Sequence, residues 1–134
     1  MKKIGLTVIA ALFATSFAVS SSFAGEGDAA KGAKFTNKKC TICHSFGDKF
    51  KKKGKVGPSL EAGVLGQKAG AVDGFKYSKG MKKAAEAGLV WNEANLDEFL
   101  TKPKKFIKGT KMSSFPGIKK AANRANVIAF LKTL

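Results

Sequence analysis

One histidine, two cysteines and nine acidic residues set the limits on this chain of 134 residues. The histidine and both cysteines fall together between positions 40 and 44. A structural zinc site wants four ligands, so one built here lacks its fourth. A thioredoxin-like dithiol sits in a βαβ pattern, and no stretch alternates convincingly as a strand. No internal repeat is visible either. The shortage of acids is as telling. Against 25 Lys and Arg it leaves a net charge of +16, which points to an acidic partner: nucleic acid, an anionic membrane or an acidic protein face.

Charge is also missing from Ile4 through Phe23, a run preceded by Lys2 and Lys3 and closed by Ser22-Phe23-Ala24. A basic start, an apolar middle and small residues at the minus-three and minus-one positions describe a secretory signal peptide cut after Ala24. An uncleaved anchor fits less well. Thr15, Ser16, Ser20, Ser21 and Ser22 dilute the second half of the run, and a folded domain begins almost at once near Asp28. A mitochondrial presequence would be rich in Arg, and this segment has none. The expectation is a cleaved signal over 1–24 and one small domain over 25–134, delivered to the bacterial periplasm. Two lysines leave with the signal, so the mature charge falls to +14. That address argues against nucleic acid as the partner, and cleavage leaves no stable membrane insertion.

What is present centres on Cys40-Thr41-Ile42-Cys43-His44. Cys-x-x-Cys-His is the attachment pattern of a c-type haem. Residues three apart on a helical turn share a face, so both thiols can reach one porphyrin edge, and His44 swings its imidazole under the iron. The cofactor expected is one covalently bound haem c.

The remaining pattern is helical. Asp28 is placed to cap a first helix running to the haem motif, with Ala29, Ala33 and Thr36 on one face. The lysine-rich stretch Lys49–Lys55 reads as a solvated loop, and Gly57-Pro58 as a turn. Ser78 caps a short helix through Met81 that Gly88 ends. Asn92 or a neighbour caps the next, with Leu96, Phe99 and Leu100 at helical spacing and Pro103 as its stop. Residues 104–112 show no period and read as a loop. A last helix starts near Lys119, with Val127, Phe130, Leu131 and Leu134 on one face. The fold class is all-α: one small domain of helices and long loops wrapped around a haem.

A sixth iron ligand is found by enumeration. No second histidine exists, and both cysteines are consumed. Met1 leaves with the signal, so Met81 and Met112 remain. Met81 falls in a helix, where methionine usually fills core space. Met112 falls in a loop free to fold over the second haem face, and is the favoured of the two. His/Met ligation raises the potential and closes the iron to substrates, which describes electron transfer without bond chemistry.

With its motif, order and spacing together, the chain resembles a class I cytochrome c, closest to the bacterial cytochromes c2 and their mitochondrial relatives. The likeness covers residues 27–134 and rests on GDAAKGAKF, CTICH, VGPSL, GFKYS, GLVW, NLDEFLTKPKKFIKGTKM and NVIAFLKTL. It implies His44 as proximal ligand, its second ring nitrogen held by the Pro58 carbonyl, and Met112 as distal ligand. It implies Tyr77 and Trp91 as hydrogen-bond donors to a haem propionate. It also implies a crossing of the first and last helices at Gly32 and the Val127–Phe130–Leu131 face. Three positions depart from the family: Gln67 stands where Arg is frequent, Phe99 where a tyrosine lies near the methionine sulfur, and Thr36 where an aromatic is usual.

The function implied is a monomeric, soluble periplasmic one-electron carrier, not an enzyme. It would run between a bc1-type quinol-oxidising complex and a terminal oxidase or photosynthetic reaction centre. Lys38, Lys39, Lys55, Lys104, Lys105 and Lys111 are the candidates for docking on acidic partner faces. Two other classes are distinguishable. A haem enzyme would need an open iron position and a distal acid–base group. A sensor or electron-entry subunit would copurify with a larger complex.

Overall fold

The computed structural model describes residues 26–134; the expected signal segment lies outside them. Five helices carry the fold: α1 Ala29–Lys39, α2 Lys79–Glu86, α3 Glu93–Thr101, α4 Pro103–Phe106 and α5 Ala121–Leu131, with a 3-10 turn over Lys111–Ser114. The described residues contain two isolated β-bridges and no strand. No helix among them is long and apolar enough to cross a membrane.

Three helices begin on a side-chain cap, whereas α4 and α5 start without one. Asp28 Oδ1 accepts from the Lys31 amide at 2.9 Å and starts α1. Ser78 caps α2 through the Met81 amide at 3.1 Å. Asn92 and Asn95 close a reciprocal capping box on α3, at 2.9 and 2.8 Å. The start of α4 is set by Pro103 instead. Proline ends α3, but its missing N–H costs nothing at the first position of a new helix, so α4 begins on it. The stretch 104–112 is therefore not a plain loop: it is one helical turn, a glycine turn and the 3-10 turn.

α5 starts at Ala121, two residues later than the spacing suggests, and Leu134 lies beyond its end. Chain order does not predict the most extensive packing, which joins the two end helices α1 and α5. Gly32 sits at their crossing. A Cβ there would lie 1.9 Å from the Asn126 carbonyl oxygen and 2.9 Å from the Phe130 Cβ. The Asp28 amide donates to Asn126 Oδ1 at 2.7 Å and fixes the register of the pair. Val127, Ile128, Phe130 and Leu131 are all buried.

Thr36, where the family resemblance led one to look for an aromatic, is buried on α1 at 1% exposure. The ring packing against α5 comes instead from the loop after His44. Phe46 lies 6.1 Å and Phe50 5.5 Å from the Phe130 ring, and 5.6 Å from each other. The chain's one arginine, Arg124, locks the far end of α5. Its Nε donates to Asp97 of α3 at 2.7 Å, and its Nη1 to the Ile118 and Lys119 carbonyls at 2.8 and 3.0 Å.

Gly32→Ala tests the crossing. Alanine gains about 1 kcal/mol of helix propensity over glycine, but overpacking against a backbone carbonyl costs about 1–3 kcal/mol. The carbonyl cannot turn aside as a flexible side chain would, so the steric cost wins. The guanidinium midpoint of the holoprotein should fall; a raised midpoint would show that the helices can separate at no cost.

Candidate haem site

α1 ends on Cys40, and the chain tightens into a turn that carries the motif: the Cys43 and His44 amides both donate to the Cys40 carbonyl, at 3.0 and 2.8 Å. Two glycines of the lysine-rich loop press against this turn. A Cβ on Gly54 would lie 2.4 Å from the Cys43 carbonyl carbon, and one on Gly57 would lie 2.5 Å from His44 Cε1. The Gly54 and Gly57 amides donate to the His44 and Cys43 carbonyls, at 3.2 and 2.8 Å. Reading Gly57-Pro58 as turn punctuation missed this second duty. The signal was in the sequence only as two small residues.

His44 Nδ1 lies 2.8 Å from the Pro58 carbonyl. A carbonyl only accepts, so Nδ1 carries the proton and the neutral ring keeps its lone pair on Nε2. Burial lowers the His44 pKa, opposed by the Pro58 contact, and favours that neutral ring. Burial pushes the Cys40 thiol up to about 11, while the Thr36 hydroxyl beside it works in the other direction.

These groups form one wall of a largely apolar cavity of about 480 Å³, within the range of cofactor sites. Met81, Tyr77, Trp91, Phe99 and Met112 line it from other segments. Both candidate methionines thus reach the cavity, by different means. Met81 belongs to α2. Met112 sits in the 3-10 turn with φ −80° and ψ 16°, its amide donating to Thr110 Oγ1 at 3.2 Å. Thr110 is itself buried.

Two polar groups face the cavity with donors to spare. The Tyr77 hydroxyl oxygen accepts the Val72 amide at 3.1 Å, which leaves its proton free. Trp91 is 7% exposed and packs its ring 5.0 Å from Phe99 and 6.4 Å from Phe106. Phe99 offers no hydrogen bond of its own there. Gln67 is exposed at the rim, where its carbonyl accepts the Trp91 amide at 2.9 Å.

Of the six candidate docking lysines, all are exposed and none pairs with a carboxylate among the described residues. Lys111 differs from the rest. Its Nζ donates to the Lys76 carbonyl and lies 4.9 Å above the Phe75 ring, so it straps the Met112 turn to the Tyr77 segment.

The residues fit a haem joined through Cys40 and Cys43: two adjacent thiols, a preset imidazole and spare donors all open into one apolar cavity. Such a fold and site define a small all-α haem protein. The comparisons agree. The cytochrome c family model matches residues 29–134. A cytochrome c2 of Agrobacterium tumefaciens is 47% identical over 107 residues, covering 79% of this chain and 91% of that protein. A cytochrome c2 of Rhodomicrobium vannielii is 43% identical over 133 residues, 99% of this chain and 97% of its own length. The solved structure of cytochrome cH from Methylobacterium extorquens superposes with a TM-score of 0.68 at 44% identity, covering 81% of this chain and all of that one. The chain belongs to the cytochrome c family. It is an electron carrier rather than an enzyme, and its cofactor is one covalent haem c, whose attachment motif Cys40 and Cys43 fit.

Proposed function

We propose that this cytochrome is a periplasmic carrier with His44 and Met112 as axial ligands, moving single electrons between a bc1-type quinol-oxidising complex and a terminal oxidase or photosynthetic reaction centre. The observation that carries the ligand set is the His44–Pro58 contact of 2.8 Å, which leaves Nε2 unprotonated on a cavity that also receives Met112. The haem iron supplies the one-electron Fe(III)/Fe(II) chemistry. The protein's part is to hold it still and dry. Tyr77 and Trp91 serve a propionate with their free donors, and the Phe99–Trp91–Phe106 cluster keeps water from that side. Oxidised and reduced spectra with a pyridine haemochrome test the cofactor and its ligation together; a high-spin ferric spectrum would remove the methionine.

The surface supports an acidic partner. Lys39 lines the cavity, as does Cys43, and Lys55 follows in sequence the Gly54 that packs against Cys43. Ile42 and Val56, 55% and 68% exposed, are apolar residues next in sequence to Cys43 and Lys55. A charged ring around an apolar contact steers encounter more than it tightens the complex. Exposed charges are screened beyond about 10 Å at 0.1 M salt. Second-order transfer to bacterial membranes carrying an oxidase should therefore slow steeply as salt rises. Lys105→Glu should slow it more at low salt than at high salt, with the potential nearly unchanged, and Lys120→Glu should matter less. Lys111→Glu is a poor probe, because it also breaks the strap to Lys76. A rate indifferent to salt would end the docking argument.

A further inference from the structure

We propose that Thr36 is a potential-setting residue, its hydroxyl donating a hydrogen bond to the sulfur of the Cys40 thioether once haem is attached. The observation is an orphan. Thr36 is 1% exposed, and its Oγ1 is the one buried side-chain oxygen or nitrogen without a partner among the described residues. Every other threonine described has one. Thr41 donates to the Asn37 carbonyl, Thr101 to that of Asp97 and Thr133 to that of Phe130, while Thr110 accepts the Met112 amide. A helical threonine usually resolves the problem by bonding the carbonyl four residues back, and Thr36 does not. A buried hydroxyl left so is costly, and this one lines the haem cavity.

Its place names the acceptor. Thr36 and Cys40 are four apart at the end of α1, so their side chains share a face. The Cys40 amide also donates to the Thr36 carbonyl at 2.8 Å, which fixes the turn between them. Before attachment the cysteine carries its own S–H. Thioether formation removes that proton, and a thioether sulfur can only accept, weakly. The hydroxyl then becomes the sole donor of the pair, and its proton points at the porphyrin edge. A positive dipole end fixed in a low-dielectric site stabilises the electron-richer state of what it faces. Fe(II) haem is favoured and the potential rises. The inference rests on covalent attachment at Cys40 and not on which methionine ligates iron. Failure of attachment would show separately, as loss of the haem-stained band.

Thr36→Ser and Thr36→Ala lose the same methyl and differ only in the hydroxyl, so their comparison isolates it. Spectroelectrochemical titration of the holoproteins should place Ala below Ser, with Ser near the wild type. Guanidinium unfolding should show Ala losing more stability in the reduced than in the oxidised protein. Thr36→Val, which keeps the shape, should follow Ala in potential. Equal potentials for Ser, Ala and Val, with Val stabilised alike in both oxidation states, would overturn the proposal and leave an unpaired hydroxyl. If Val fails to fold, the Ser–Ala pair still decides.

Discussion

Serine at both Cys40 and Cys43 will leave no haem-stained band on a denaturing gel, and little folded protein. The first outcome is chemical, since a hydroxyl makes no thioether to a vinyl group. The second follows from magnitudes. A void costs about 24 cal/mol per Å³, so an empty cavity of about 480 Å³ would cost up to about 12 kcal/mol. Water entering through the rim lowers that figure, but the whole stability of a domain is only about 5–15 kcal/mol. A loss approaching that size would consume most of the margin that keeps the chain folded. Resistance of the extract to mild proteolysis would measure the loss. A stained band in the double variant would end the case for covalent attachment.

Met112→Ala should give the second largest effect. Axial ligands span roughly 0.8 V of haem potential, and replacing a thioether by water or nothing should lower the potential on the order of 0.1 V or more. The reduced variant should bind carbon monoxide quickly, where the parent does so slowly. The fold should survive, because Met112 is only partly buried and its turn is held by other contacts: Thr110 below it and the Lys111 strap beside it. Met81→Ala is the control. Met81 reaches the same cavity from α2, so its loss should reduce stability and leave the iron closed. Carbon monoxide uptake by the Met81 variant alone would reverse the assignment.

Much of this was legible in the sequence, for reasons that differ by residue. Caps could be read because Asp28, Ser78 and Asn92 act on amides within three residues of themselves. The attachment motif could be read because its geometry is confined to one turn. What stayed hidden depends on distant partners. Nothing local says that Gly57 must admit the His44 ring, and the crossing at Gly32 was legible only through the family resemblance. Nothing in the sequence sets Lys111 apart from other surface lysines, because the Lys76 carbonyl it holds is 35 residues away. The departure at Thr36 could be noticed but not resolved, because Phe46 and Phe50, which supply the rings, lie in a loop without periodicity. The same isolation from local pattern concealed α4, whose only sequence mark, Pro103, served equally well as a stop.

The pairing of α1 with α5 has a consequence for the order of events in the protein's making. Among the described helices, α1 over residues 29–39 packs on α5 over residues 121–131, near the far end of the chain. A contact of such long sequence separation is slow to form, because closing the loop between its ends comes before any reward. The Gly32 face therefore stays open until the last helix has been synthesised. A chain still emerging from the ribosome cannot bury it. The terminal eleven-residue helix is the latch: deletion within it should keep the whole chain from closing, however sound the haem motif at the other end.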